Sequence, residues 1–182
     1  ALAMGAAKAI LVSDDALAGA DALTTAKALA KCVERAGGID LVLTATESTD
    51  GYTGTIPAQV AELLGWPSLT FAKEVHLEGG TAKIQRQTEA GYDVVEASLP
   101  AVVSVTAGVV EPRYPSFKGI MAAKNKPVDP VTAPDRGLEA CQGGGAGARR
   151  GVPNARQAAA RRGGWRLAEH GTGPGRGGPV PR

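Results

Sequence analysis

The first 106 residues alternate between short apolar runs and amphipathic segments. Ala9–Val12 and Leu41–Ala45 are apolar runs of strand length, which indicates buried strands. Apolar residues repeat at helical spacing over residues 21–35, and Gly37-Gly38 follows as a stop signal. A second helix is predicted over residues 55–64, capped by its first residue. This order of strands and helices is typical of a parallel sheet with helical crossovers.

The pattern changes after Pro67, where the apolar residues begin to alternate. Residues 69–77, 81–87 and 92–97 have strand character and are separated by short turns that contain glycine. They predict an antiparallel hairpin extension beside the parallel sheet. Residues 101–106 are rich in β-branched side chains on both faces, which predicts a strand inside the sheet. The sequence therefore predicts an α/β fold.

The composition divides the chain into two parts. Residues 1–135 carry 11 Lys+Arg and 16 Asp+Glu, whereas residues 136–182 carry 9 Arg, 2 Glu and no Lys. Residues 127–135 are Pro-rich and are interpreted as a linker. The Arg/Gly/Pro-rich remainder has almost no apolar periodicity, so a disordered tail is predicted. We expect one domain over residues 1–127, followed by a linker and tail over residues 128–182.

Several functions are excluded or disfavoured by composition. No apolar run reaches the length of about 18 residues that suggests a membrane span. Cys32 and Cys141 are too few for a disulfide framework or a zinc site, and His76 and His170 lack ligand spacing. No nucleophile–base pair or paired carboxylates support hydrolysis. Arg/Gly-rich tails can bind RNA. This tail has no repeated Arg/Gly spacing and no aromatic residue other than Trp165, which favours disorder or a reading-frame artefact. No nucleic-acid partner is therefore predicted.

The segment richest in candidate chemistry is the loop between the second predicted strand and the following helix. Ligands of open α/β sheets bind at this edge, and the free N–H groups of a helix start suit a phosphate. Gly51 and Gly54 allow close backbone approach, while Asp50 suits a ribose hydroxyl or an N–H that shapes the turn. The loop matches neither the P-loop nor the G-x-G-x-x-G fingerprint. An ordinary capped βα loop explains its spacing equally well. The candidate nucleotide-binding residues are Ala45, Thr46, Glu47, Ser48, Thr49, Asp50, Gly51, Tyr52, Thr53, Gly54, Thr55 and Ile56.

Seven segments within residues 1–127 occur together in the order and at the spacing of one family. The most specific is the last, a Pro-Arg-Tyr loop followed by Ile-Met-x-x-Lys; Ala90 and Asp93 depart from the usual pattern. Together the segments resemble the β subunit of electron transfer flavoprotein. They are Ala1–Ala6, Asp40–Leu43, Ser48–Gly51, Leu63–Pro67, Lys73–Gly79, Leu99–Val103 and Glu111–Lys124.

This resemblance implies a Rossmann-like sheet of the adenine-nucleotide α-hydrolase type that binds AMP, or a second FAD in electron-bifurcating members. It implies a heterodimer whose α subunit holds most of the redox FAD. Electrons would come from acyl-CoA dehydrogenases and related flavoenzymes, as in fatty acid β-oxidation, and go towards a quinone reductase. The chain would be an electron carrier without catalytic residues of its own, cytoplasmic in a bacterium or in the mitochondrial matrix of a eukaryote. The family's nucleotide segment corresponds to residues 45–56.

The resemblance also implies a protruding loop that docks on dehydrogenases. It corresponds to residues 113–121, with Phe117 at the apolar anchor position. An aromatic residue held between Pro115 and a short turn suits an interface anchor, whereas a Phe117 packed into its own core is the structural alternative. The candidate docking residues are Arg113, Tyr114, Phe117, Ile120 and Met121.

Three functional hypotheses remain at this point. Family members have a strand and a basic loop ahead of the position of Ala1, and they continue differently after the Lys-rich turn. The chain is therefore expected to be either an electron-carrier subunit or a non-functional fragment with a frameshifted tail. A free-standing nucleotide-binding domain of the stress-protein type is the third hypothesis, and the Glu111–Lys124 segment argues against it.

Overall fold

A computed structural model describes residues 1–132 and the backbone of residues 166–171. Within this part of the chain there are two compact units. The first comprises residues 1–39 and 110–132, and the second comprises residues 40–109 and 166–171. No described helix is long and apolar enough to cross a membrane.

The described elements follow the predicted order through most of the chain. The helices are α1 (Ala22–Ala36), α2 (Ile56–Leu64) and α3 (Phe117–Ala123). Short 3₁₀ turns cover Leu2–Met4 and Asp15–Leu17. The strands are β1 (Ala9–Val12), β2 (Leu41–Ala45), β3 (Ser68–Glu78), β4 (Thr81–Gln87), β5 (Tyr92–Ser98), β6 (Ala101–Val105), β7 (Val128–Val131) and β8 (Arg166–Gly171).

The first unit contains α1 and a two-stranded parallel sheet, β1 with β7. Helix α1 begins where Asp21 accepts a hydrogen bond from the Thr24 backbone N–H at 2.7 Å, and it ends at Gly37 with φ of 62°. Arg35 in its last turn forms an ion pair with Asp129 of β7 at 3.0 Å. This pair joins the helix to the strand that lies 94 positions later.

Two expectations for this unit are wrong. Strand β1 was predicted to join the same parallel sheet as β2, but it pairs with β7 instead. Residues 128–131 were predicted to begin a linker, but they form β7. Pro130 supplies no N–H, which is tolerated because a two-stranded sheet leaves one edge of each strand without a partner.

The second unit is a mixed sheet with the order β2-β6-β3-β4-β5-β8. Strands β2, β6 and β3 are parallel, whereas β3, β4 and β5 form the antiparallel hairpin extension that the sequence predicts. Strand β6 lies inside the sheet, and Ala101, Val102 and Val103 are fully buried on it. The α/β class with a mixed sheet is therefore confirmed.

Six residues of the predicted disordered tail form β8, which pairs antiparallel with β5. For these six residues the structure has a strand where disorder was predicted. The rest of the predicted linker and tail, from residue 133 onward, lies outside the described residues.

Strand β3 changes from parallel to antiparallel neighbours along its length. Its ladder is irregular between Leu69 and Ala72, where Phe71 has a φ of 59°. Three polar contacts hold this irregularity. The Phe71 N–H donates to Ser104 Oγ at 3.1 Å, and the Arg86 guanidinium donates to the carbonyls of Thr70 and Ser68.

Candidate functional site

The loop between β2 and α2 lies at the carboxyl ends of two parallel strands, β2 and β6, at the level where β3 stops pairing with β6. Ala45 at the end of β2 is in register with Val105 at the end of β6, and Ala72 of β3 is in register with the same Val105. Thr46 Oγ1 donates to the Val105 carbonyl at 3.1 Å, so the first part of the loop is joined to the end of β6. This is the edge at which open α/β sheets bind ligands.

The polar residues in the middle of the loop bind the loop's own backbone. The Gly51 N–H donates to Asp50 Oδ1 at 2.7 Å and also approaches Ser48 Oγ at 3.3 Å. A hydrogen bond from the Ser48 side chain, and next the Gly51 N–H, lower the pKa of Asp50. Two roles were expected for Asp50, binding a ribose hydroxyl or binding an N–H that shapes the turn. The structure shows the second, because the Asp50 carboxylate accepts from the Gly51 N–H.

The start of α2 differs from the sequence expectation in one respect. Thr55 occupies the cap position, but its side chain makes no cap hydrogen bond. Its Oγ1 instead accepts from Gln59 Nε2 at 3.3 Å. Pro57 has no N–H, so the backbone N–H groups of Ile56 and Ala58 are the donors of the first turn without an acceptor inside the helix.

Most of the loop is exposed, and its backbone is sharply bent. Residues 47–53 and 55 are exposed, and Gly54 has a φ of 64°. A side chain at Gly54 would have open space around it, since the nearest atom to an added Cβ is Glu47 Oε2 at 3.9 Å. The conformation, and not crowding, therefore favours glycine at this position. The arrangement can offer backbone N–H groups to an anion, with the carboxylates of Glu47 and Asp50 close by in the chain.

The predicted docking residues lie in the first unit, on α3 and the loop before it. Ser116 caps α3 by accepting a hydrogen bond from the Gly119 N–H at 3.0 Å. Phe117 is 80% exposed and Tyr114 is 92% exposed, so the alternative of a core Phe117 is not what the structure shows. Ile120 and Met121 are half-exposed, and Arg113 Nη2 donates to the Met4 carbonyl at 3.5 Å.

Sequence reasoning missed a groove on the hairpin extension. It is open, has a volume of about 900 Å³, and contains none of the predicted site residues. Cross-strand register places His76 beside Lys83 and Lys83 beside Glu96 on its floor. The alternation of charged and apolar residues along β3 to β5 is the signal that could have indicated this polar face. Its mixed charge selects no single class of ligand.

No group of three or more potential metal ligands occurs among the described side chains. The sequence missed two further residues, Gly119 and Lys126, that contact the 3₁₀ turn Leu2–Met4. Contacts between residues so far apart in the chain leave no local pattern, so spacing could not have indicated them.

Comparison with known proteins identifies the family. The model of the electron transfer flavoprotein domain matches residues 1–136, and the chain therefore belongs to the electron transfer flavoprotein family. Several of its relatives in the family are named as the beta subunit. Electron transfer flavoprotein subunit beta of Mycobacterium bovis is 48% identical over 139 residues, which is 76% of this chain and 52% of that protein. The protein of the same name from Mycobacterium tuberculosis has the same identity and coverage.

A more distant bacterial relative is the caffeyl-CoA reductase-Etf complex subunit CarD of Acetobacterium woodii. It is 38% identical over 142 residues, covering 77% of this chain and 54% of the relative. The chain spans about half the length of the curated relatives it matches. The resemblance to the β subunit, which seven sequence segments carried, is confirmed.

Proposed function

We propose that this chain acts as the β subunit of a heterodimeric electron transfer flavoprotein. The observation that carries the proposal is its 48% identity to the mycobacterial subunit beta. In this role it is an electron carrier without catalytic residues of its own, paired with an α subunit that holds most of the FAD. Acyl-CoA dehydrogenases of fatty acid β-oxidation and related flavoenzymes supply the electrons, and a quinone reductase accepts them. The bacterial relatives favour a cytoplasmic location.

In this proposal the loop from Ala45 to Ile56 binds the phosphate and ribose of AMP. Three features support it: the position at the carboxyl ends of β2 and β6, the free N–H groups at the start of α2, and the positive φ of Gly54. The parallel arrangement of these strands also supports a Rossmann-like sheet of the adenine-nucleotide α-hydrolase type. Asp50 acts on the turn, while Glu47 offers a carboxylate that suits a ribose hydroxyl.

The relative from Acetobacterium woodii is a subunit of a caffeyl-CoA reductase-Etf complex. That likeness favours a second candidate, in which the same loop binds the adenylate half of a second FAD. The two candidates differ in flavin content. A purified heterodimer with a single flavin and bound AMP supports the first, whereas a second flavin and no AMP supports the other.

The docking role belongs to residues 113–121. Exposed Phe117 on a capped helix, with Tyr114, Ile120 and Met121 also accessible, supports a protein-binding surface. A dehydrogenase with a complementary apolar pocket is the proposed partner.

The experiment that tests the function is assembly followed by reduction. The chain is co-expressed with an electron transfer flavoprotein α subunit, and the purified complex is mixed with an acyl-CoA dehydrogenase and its substrate. We expect the two subunits to co-purify and the flavin absorbance to bleach. The α subunit alone is the control. Failure to co-purify, or a reduction rate equal to that of the control, contradicts the proposal.

A further inference from the structure

Between α3 and β7, one lysine side chain joins the chain to its first six residues. Lys126 Nζ donates to the Leu2 carbonyl at 2.9 Å and to the Ala6 carbonyl at 2.7 Å. Hydrogen bonds from an ammonium group are stronger than neutral ones, and the Lys126 side chain is partly buried where it makes them. Leu2 is the first residue of the 3₁₀ turn Leu2–Met4 and Ala6 lies just after it, so one side chain holds the start of the turn and the residue that follows it.

The middle of α3 approaches the same turn very closely. A Cβ atom added at Gly119 would lie 2.5 Å from the Ala3 carbonyl oxygen, a distance that real Cβ atoms essentially never show. The obstacle is backbone and not a flexible side chain, so any larger residue must move α3 away from the turn. Gly119 therefore sets how deeply the helix sits.

A third contact comes from the loop that precedes α3. Arg113 Nη2 donates to the Met4 carbonyl at 3.5 Å. Contacts before, within and after α3 thus all reach the first six residues. The side chain of Phe117 is 80% exposed and adds little to holding the helix, so its position depends on where the α3 backbone is fastened.

We propose that Lys126 and Gly119 are positioning residues for the docking segment, an inference that rests on the docking role proposed above. Gly119 allows α3 to sit on the N-terminal turn, and the Lys126 ammonium holds it there through two carbonyls. The apolar docking side chains are then presented in one arrangement before a partner binds. Such preorganisation strengthens binding because less ordering is needed on association.

The test compares three lysine variants of the chain assembled with an α subunit. Lys126→Met removes the ammonium at similar length, Lys126→Arg keeps a donor group, and Lys124→Met removes the same charge from an exposed neighbour. For Lys126→Met we expect the apparent KM for the dehydrogenase to rise about five-fold or more, with kcat and bound nucleotide unchanged. Lys126→Arg should recover most of the affinity, and Lys124→Met should stay near the parent. Gly119→Ala should raise KM in the same way with no change of charge.

Hydrogen exchange of the α3 amides separates this inference from the docking role. Faster exchange in Lys126→Met than in Lys124→Met supports the positioning role of Lys126, even when the parent complex shows no saturable reaction with a dehydrogenase. Equal exchange in the two variants overturns it. Equal KM values for Lys126→Met and Lys124→Met also overturn it. A joint fall of kcat, affinity and nucleotide content in Lys126→Met that Lys126→Arg fails to restore overturns it too, because that pattern indicates general unfolding.

Discussion

Asp21 and Asp50 each place a carboxylate against a backbone N–H that follows them in the chain. Asp21 accepts from Thr24 and fixes the start of α1, and Asp50 accepts from Gly51 and fixes the turn before α2. Both hydrogen bonds favour the ionised acid, and the pKa of each carboxyl lies below its ordinary value. A carboxylate in a candidate binding loop can therefore serve the fold and not the ligand.

The first prediction at this scale is a pH dependence that comes from Asp21. Hydrogen bonds from the Thr24 side chain and then the Thr24 N–H lower the folded pKa of Asp21 below its ordinary value. A depressed pKa stabilises the fold above the unfolded value, and this stabilisation is lost as the pH falls through the folded value. We expect Asp21→Asn, which keeps a capping oxygen, to melt near the parent at about pH 7 and to lose less stability between about pH 5 and 3.

Thermal unfolding of the assembled complex, followed by circular dichroism across that pH range, is the measurement. Asp15→Asn is the control, since it removes the same charge away from the α1 cap. Parallel pH profiles for Asp21→Asn and the parent would show that the Asp21 cap does not carry the effect.

A second residue-scale prediction concerns Gly54. Its φ of 64° suits glycine, and a β-branched residue at this position must distort the loop that leads into α2. We expect Gly54→Val to weaken AMP binding by about ten-fold or more in calorimetry on the complex, since Ile56 and Ala58 would no longer present their N–H groups together. Gly79→Val places the same strain at φ of 56° in the β3–β4 turn and should leave AMP affinity unchanged. If Gly54→Val binds AMP as tightly as Gly79→Val, the loop is not the nucleotide site.

At the scale of elements, local signals identified most of the structure. Helix α1 was predictable because a capping carboxylate precedes its apolar stripe and Gly37 ends it. The hairpins β3 to β5 were predictable from alternation and glycine turns, and β6 from its unbroken apolar run. Residues 45–56 could be placed at the carboxyl edge of a sheet because they follow one predicted strand directly and lead into a predicted helix. Each of these features depends on residues that are close together in the chain.

Features that depend on distant residues were not predictable. The four residues of β7 include Pro130 and carry no strand pattern of their own, and they form a strand only because β1 pairs with them from the other end of the unit. The irregularity in β3 is another case. Phe71 adopts its positive φ where Ser104, 33 positions later, accepts its N–H. Backbone strain of this kind persists only where the surroundings fix it.

The element-scale prediction tests α3 as a docking helix. Phe117 is 80% exposed, so Phe117→Ala should leave the melting temperature and bound nucleotide of the complex unchanged. We expect it to weaken binding to an acyl-CoA dehydrogenase by about 1–3 kcal/mol, the range of an aromatic anchor. The measurement is the electron-transfer rate at varied dehydrogenase concentration.

Val110→Ala is the matched control, because Val110 is an apolar side chain in the same unit and is 72% exposed. An unchanged KM for Phe117→Ala together with a large drop in melting temperature would assign Phe117 to the fold instead. Equal KM increases for the two variants would mean that no particular side chain anchors the contact.

At the scale of the whole molecule, the described part of the chain leaves apolar surface and a strand edge uncovered. Strand β2 lies at the end of the six-stranded sheet, with β6 as its neighbour, and Leu43 on β2 is 61% exposed. An open edge strand with an apolar side chain is a site for pairing with another chain. In the first unit Leu11 of β1 is also more than half exposed. Both units therefore have surfaces that favour association.

We predict that the isolated chain self-associates through the β2 edge and that assembly with an α subunit suppresses this association. Sedimentation of the chain alone should show oligomers, and the complex should show a single heterodimer with a higher melting temperature, because a partner that binds only the folded state stabilises it. Leu43→Lys places a charge on the open edge strand and should reduce self-association of the isolated chain. Leu63→Lys adds the same charge on an exposed position of α2, away from a strand edge, and should have little effect. A monomeric isolated chain that melts cooperatively at the temperature of the complex would contradict the prediction. Equal effects of Leu43→Lys and Leu63→Lys would also contradict it, because general surface charge would then explain the reduced self-association.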